Sequence, residues 1–426
     1  MYEVEKPLEK AIIATFILKG SDRDLALEHL KELKLLVETA GAEVVEEIFQ
    51  ELQKPSVSTL FGSGKVLELK ELLQENKCSM VVFDNELTPV QVRNLSNILE
   101  VKVLDRSGII LDIFAAHART LESQLQVELA QSLYLLPRLS RMWTHLSKQF
   151  GGVGTKGPGE TQIETDRRLV RKRIQMLKEK LKVIEVQNAE QRKARQGFPR
   201  FALVGYTNAG KSTLMNAITD ANVYVEDKLF ATLSTTVRQF TFPNGKKGIL
   251  SDTVGFIRKL PHHLVASFRS TLAEASESDF ILNVIDVSDK FFREQIEVVK
   301  DTLESLDIKE KPILYVFNKI DQLEYLELIK QIESEYPNSI FISAKKNLNI
   351  NYLLEKMQEV YERQNVRFVL HIPYSKMNLL NTIYNNADVL EREEGDLGID
   401  IQISVPSEKS GLINSSFKEY IKKIVR

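Results

Sequence analysis

Cysteine is nearly missing from this chain. Cys78 is the single thiol in 426 residues, which excludes an internal disulfide and a cysteine-based zinc site. The six histidines show no metal-ligand spacing, and the adjacent His262 and His263 would project in different directions. No apolar run approaches the roughly eighteen residues of a membrane span. The opening MYEVEKPLEK is polar and acidic, unlike a signal or transit peptide, so a cytoplasmic location is expected. A surplus of one charge is lacking too: 57 Lys and Arg face 59 Asp and Glu, so global charge names no partner. What remains is a long chain, 43% hydrophobic, too large for one core and expected to form about two to four domains.

Against these absences stands Gly205-Tyr-Thr-Asn-Ala-Gly210-Lys211-Ser212, a match to G-x-x-x-x-G-K-[ST]. Phe201 to Val204 before it reads as a buried strand, and Thr213 to Ile218 after it as a helix start. In that context the glycines turn backbone N–H groups around a phosphate at a helix N-terminus. Lys211 reaches the β- and γ-phosphates, and the Ser212 hydroxyl offers a Mg²⁺ ligand. Three further motifs follow in order, each at the end of an apolar strand. Asp252-Thr253-Val254-Gly255 supplies an acidic group for Mg²⁺ through water and a Gly N–H for a γ-phosphate. Asn318-Lys319-Ile320-Asp321 supplies a carboxylate that accepts two hydrogen bonds from guanine and would be left unpaired by adenine. Ser343-Ala344-Lys345 offers backbone donors to the guanine carbonyl. The ordered set points to GTP on an open α/β sheet.

Between the P-loop helix and Asp252, Thr232, Thr235 and Thr236 compete for the role of a Mg²⁺-ligating switch threonine. Thr232 is favoured, because residues from Thr235 onward alternate like a strand.

Residues 1–118 alternate strand-like and helix-like segments, which predicts an α/β domain with a mainly parallel sheet. Gly108 to Phe114 reads there as a short strand. Residues 119–197 predict a long antiparallel helical hairpin, with Leu121, Leu125, Leu129, Leu133 and Leu136 facing Leu169, Ile174, Leu177, Leu181 and Ile184. Pro137 is expected to kink or restart the first helix. The hairpin tip is Gly151-Gly-Val-Gly-Thr-Lys-Gly-Pro-Gly-Glu160, whose literal G-x-G-x-x-G follows a helix and is discounted as a dinucleotide motif. From Asp166 to Arg200, twelve basic side chains face four acidic ones, a localised footprint for a polyanion. Residues 198–363 are expected to form a doubly wound P-loop GTPase domain. Residues 364–426 suggest a small α+β domain of βαββα order, with no evident chemistry.

Two segments go beyond the generic pattern. Asp252 to Phe268 (DTVGFIRKLPHHLVASF) and Gly151 to Arg168 (GGVGTKGPGETQIETDRR) resemble signatures of the HflX family, as do Val82 to Thr88 and Leu104 to Phe114. The likeness covers residues 5–364. It implies a cytoplasmic, Obg-like GTPase that binds the large ribosomal subunit and its rRNA, with some members splitting stalled or heat-damaged ribosomes. It also matches Thr232 to the family's switch threonine. The nucleotide-contacting set it implies runs through Gly205, Tyr206, Thr207, Asn208, Ala209, Gly210, Lys211, Ser212 and Thr213. It continues with Phe230, Ala231, Thr232, Leu233 and Ser234, then Asp252, Thr253, Val254 and Gly255. Asn318, Lys319, Ile320, Asp321, Ser343, Ala344 and Lys345 complete it. Lys211, Thr232 and Gly255 are the expected catalytic residues, with Ser212 and Thr232 as Mg²⁺ ligands, in a monomer. Asn208 resembles the asparagine that recruits K⁺ in related GTPases. Phe256 stands where many GTPases carry a water-orienting Gln, which predicts slow intrinsic hydrolysis raised by a partner. The competing readings are an Obg-like assembly or signalling GTPase whose basic hairpin docks on protein, and a non-enzymatic module stabilised by nucleotide.

Overall fold

The computed structural model describes residues 8–142, 158–193, 197–219, 229–230, 232–233, 235–259, 273–308, 311–323 and 327–425. It divides into two units, residues 1–239 with 249–346 and residues 240–248 with 347–426.

The first unit opens with β1 (Glu9–Leu18), α1 (Arg23–Thr39), β2 (Ala42–Leu52), α2 (Ser63–Glu75), β3 (Met80–Phe83), α3 (Pro89–Leu99), β4 (Lys102–Asp105) and α4 (Arg106–His117). The strands form a parallel sheet in the order β2-β1-β3-β4. Strand period two sends Ala11 and Ile13 into a core with α1 and α4, and Ile12 and Ala14 into another with α2 and α3. Side chains cap the starts of α1 and α3. Asp22 Oδ1 accepts from Asp24 N and Leu25 N, and Thr88 and Gln91 close a capping box around Pro89. The expected strand over Gly108 to Phe114 is instead part of helix α4, because the Asp105 carboxylate caps it by accepting from Gly108 N at 2.9 Å. Nearly every residue from Arg106 to Phe114 is buried, so α4 lacks the polar face by which a helix is read from sequence.

The hairpin pairs α5 (Leu121–Met142) with α6 (Pro158–Lys193). Helix α5 runs through Pro137 without a restart. Leu125, Leu129, Leu133 and Leu136 pack against Val170, Ile174, Leu177, Leu181 and Ile184. Leu121 and Leu169, expected in this seam, are 68% and 57% exposed; Val170, one position on, takes the place expected for Leu169. Residues 151–157 of the glycine-rich tip lie outside the described residues.

Beyond the hairpin come β5 (Arg200–Gly205), α7 (Lys211–Thr219), β6 (Thr236–Thr241), β7 (Lys247–Asp252), α8 (Ala273–Glu277), β8 (Phe280–Asp286), α9 (Phe292–Ser305), β9 (Ile313–Asn318), α10 (Glu327–Glu335) and β10 (Ile340–Phe341). The sheet order is β10-β9-β8-β5-β7-β6. Neighbours from β10 through β7 run parallel, so the strand carboxyl ends that carry the motifs gather at one end of the sheet.

The second unit contains α11 (Ile350–Arg363), β11 (Asn365–Pro373), α12 (Leu379–Asn386), β12 (Asp388–Gly395), β13 (Gly398–Pro406), α13 (Ser407–Ser416) and β14 (Ile421–Val425). Its antiparallel sheet has the order β12-β13-β11-β14. The order is therefore βαββαβ, not βαββα: residues 421–425 pair with β11 as a fourth strand.

Candidate functional site

The P-loop leaves β5 at Gly205, whose φ of +149° and closeness to Val284 O leave no room for a Cβ. Gly210 is likewise fixed, since a Cβ there would collide with Asn318 Nδ2. Asn208 is exposed and holds left-handed backbone, φ 60°. Ala209 is buried and Thr213 half-buried at the first turn of α7. Lys211 is buried, and its Nζ donates to Gly205 O at 3.1 Å and Tyr206 O at 2.8 Å. Gly255 lies against this corner: a Cβ there would sit 2.8 Å from Thr207 Cα and 3.0 Å from Lys211 Nζ.

Ser212 Oγ lies 2.8 Å from Thr232 Oγ1 and donates to Asp252 Oδ2 at 2.6 Å. Of the three competing threonines, Thr232 is thus the one seen beside Ser212. Burial raises the Asp252 carboxyl above its ordinary value, against the Lys211 charge and the Ser212 hydrogen bond. Asp252 Oδ1 is buried with no hydrogen-bond partner among the described residues. Two hydroxyls and an unsatisfied carboxylate oxygen form a hard-oxygen set that fits Mg²⁺. Thr253 Oγ1 donates to Leu203 O at 2.7 Å and fastens the strand end behind it.

At the other end, Asn318 joins three motifs. Its Nδ2 donates to Ala209 O at 2.9 Å and its Oδ1 accepts from Ala344 N at 2.9 Å. Lys319 holds left-handed backbone and pairs with Asp286 at 2.7 Å. Asp321 is exposed on the short 3₁₀ turn with half-buried Ile320, while Ser343 is buried and Lys345 exposed.

Several side chains of the expected set pack into apolar cores. Phe230, Leu233 and Val254 join one buried apolar cluster with Leu30, Ile110 and Phe114 of the N-terminal segment, and the Phe230 ring meets Phe114 edge-on at 4.7 Å. Ala231 and Ser234 lie outside the described residues. Phe256 is 2% exposed among Ala202, Val204 and Ile281, so its ring does not face the phosphate corner.

Sequence reasoning missed an ion network beside the P-loop. Arg258 pairs with Glu32 at 3.0 Å and Asp84 at 3.5 Å, and Lys259 pairs with Asp84 at 2.6 Å. Arg106, 2% exposed, bridges Glu32 and Asp84. Tyr206 Oη donates to Glu32 Oε2 at 2.8 Å and accepts from Arg258 N at 3.0 Å. Burial pushes the Glu32 and Asp84 carboxyls up, but the facing Arg106 and Arg258 charges outweigh it, and Asp84 falls to about 2. The signal available was the Arg258-Lys259 pair six residues past Asp252.

A glycine-rich strand-to-helix loop, a hard-oxygen corner and an N-K-x-D turn at one end of a parallel sheet define a P-loop GTPase. Three family models match successive parts of the chain: "GTP-binding GTPase N-terminal" over residues 27–115, "GTP-binding GTPase Middle Region" over 117–195 and "50S ribosome-binding GTPase" over 200–319. GTPase HflX of Flavobacterium psychrophilum is 46% identical over 407 residues, covering 91% of this chain and 97% of that protein. GTPase HflX of Escherichia coli is 43% identical over 389 residues, covering 90% and 91%. A GTP-binding protein of Sulfolobus solfataricus, solved with GDP, is 27% identical with a TM-score of 0.43, covering 83% of this chain and 98% of that one. The chain belongs to the HflX GTPase family, and GTP is its substrate. Among the described residues no helix is long and apolar enough to cross a membrane.

Burial lowers the Lys211 ammonium to about 8, with Asp252 opposing. Bound phosphates raise it again, so above that pH the complex holds a proton that the free protein has lost. GTP affinity is therefore expected to fall as pH rises through about 8, by up to about tenfold per unit. Calorimetric titration from about pH 7 to about 8.5 checks this; an affinity flat across that range would contradict it.

Proposed function

We propose that this GTPase grips the large ribosomal subunit through its basic hairpin while GTP is bound, and lets go after hydrolysis. The observation that carries the reading is the exposed row Arg168, Arg171, Lys172, Lys178 and Lys182 on α6. Duplex RNA hides its base edges, so a row of cations on a rigid helix recognises phosphate spacing and shape. The family model described as "50S ribosome-binding GTPase" supports the same partner and a cytoplasmic site of action.

In this reading the P-loop amides and Lys211 hold the phosphates, Gly255 N–H meets the γ-phosphate, and Asn318, Lys319 and Asp321 fix the base. Ser212 and Thr232 would hold Mg²⁺, with Asp252 behind them; bound there, it would supply positive charge against the phosphates. Phe256 brings no group that orients water, so intrinsic turnover is slow and the partner raises it.

Cosedimentation with ribosomal subunits tests the reading. Pelleting with the large subunit is expected with a non-hydrolysable GTP analogue, and release with GDP; equal pelleting in both states, or none, overturns it. The metal corner has its own test. Ser212→Ala is expected to weaken GDP about tenfold, since its hydroxyl serves both nucleotide states. Thr232→Ala is expected to leave GDP affinity alone and slow hydrolysis more than about tenfold. Should Thr235→Ala or Thr236→Ala stop turnover while Thr232→Ala does not, the switch threonine is misassigned.

A further inference from the structure

The nucleotide-sensing segment 252–259 and the hairpin both end on one dipeptide. Arg258 and Lys259, just past Asp252-Thr-Val-Gly255, send their charges out of the GTPase sheet onto Glu32 and Asp84. Both carboxylates are held from the other side by the buried Arg106. Its neighbour Asp105, fully buried at the end of β4, faces the opposite way. Asp105 Oδ1 accepts from Tyr134 Oη at 2.8 Å, and Oδ2 accepts from Arg138 Nη2 at 2.9 Å and Leu87 N at 3.1 Å. Tyr134 and Arg138 belong to α5, and the Arg138 guanidinium lies over the Tyr134 ring at 3.6 Å.

We propose that Asp105 and Arg106 form the joint by which the state of segment 252–259 sets the position of the helical hairpin, Arg106 being a positioning residue. Withdrawal of Arg258 and Lys259 leaves two buried carboxylates facing Arg106 as the one cation among the described residues, with the Tyr206 hydroxyl on Glu32, and a low-dielectric interior does not tolerate that charge imbalance unrelieved. Arg106 must then shift, and it is the first residue of α4, whose cap, Asp105, also anchors α5. The backbone favours such movement. Lys259 and Phe230, which touch the N-terminal segment from the two switch stretches, hold left-handed φ values of 52° and 58°, and departure relieves them. Coupling is reciprocal: a partner that fixes the hairpin biases the nucleotide segment by the same factor. What such a partner gains rests on the reading of the hairpin given above; the coupling itself does not.

Hydrogen exchange of the full chain, saturated with GDP or a non-hydrolysable GTP analogue, tests the joint. The amides of Leu129–Met142 are expected to differ in protection between the two states by about fivefold or more. Tyr134→Phe removes one hydrogen bond far from the nucleotide, and Arg258→Gln removes the opposite end. Each is expected to shrink that difference below about twofold, whatever it does to overall stability. No difference in the unaltered chain, or the full difference in either variant, overturns the proposal. Normal coupling without cosedimentation would fault only the ribosome reading, and the reverse only the joint.

Discussion

Asp321→Asn is expected to exchange the base this GTPase accepts. The Asp321 carboxylate stands exposed on the 3₁₀ turn after β9, free to meet a base edge. Asn318 ties that turn to the P-loop at Ala209 and to the 343–345 loop at Ala344, so the reader cannot drift from the phosphates. A carboxylate accepts from both guanine N1–H and the exocyclic amine. The amide keeps one acceptor and turns a donor toward the other position, where guanine also presents a donor. Losing one charge-assisted bond and opposing another costs GTP about 100- to 1000-fold in affinity. Xanthine carries a carbonyl at that position, so xanthosine triphosphate gains what GTP loses. Competition binding with both nucleotides decides it, and unchanged GTP affinity removes Asp321 from the base site.

Much of this architecture was legible because the P-loop, D-x-x-G and N-K-x-D motifs sit at the ends of short apolar strands, where hydrophobic runs and turn chemistry agree. Strand β8 and helix α9 carry no motif, although β8 is central in the sheet. Helix α4 reads as a strand for a physical reason: burial on nearly all sides removes the periodicity that separates helix from strand. At the carboxyl end, residues 421–425 are a strand only through pairing with β11, where Val425 meets Arg367, 58 residues earlier, a partner invisible to a local pattern. The site divides in the same way. Which residues share a motif is a local fact, but the meeting of Ser212, Thr232 and Asp252 is a long-range one. The ion network was hidden because its members come from four separated stretches. Two of these, Val82 to Thr88 and Leu104 to Phe114, stood out only by resemblance, and they carry Asp84, Asp105 and Arg106.

Reversing the exposed cations of α6 gives the other large effect. Arg168, Arg171, Lys178 and Lys182 are exposed, as is Arg173, but Arg173 already pairs with Glu128 across the hairpin at 2.5 Å. Arg173 is therefore left in place. The combined Arg168→Glu, Arg171→Glu, Lys178→Glu and Lys182→Glu variant should fold, since the seam of Leu129, Ile174 and Leu177 is untouched. If these cations meet rRNA phosphates, each contact contributes close to one counterion to the salt dependence of binding. Removing four should flatten the log–log salt slope by about three to four, and reversing them should lower affinity by about 1000-fold at moderate salt. Ribosome-stimulated hydrolysis should vanish with it. Intrinsic hydrolysis and nucleotide affinity should stay within about twofold, because none of the four lies among the P-loop, metal or base residues. A reversed hairpin that still pellets with the large subunit and is still stimulated would make the basic row a solvated face, and the docking surface would have to lie elsewhere on the chain.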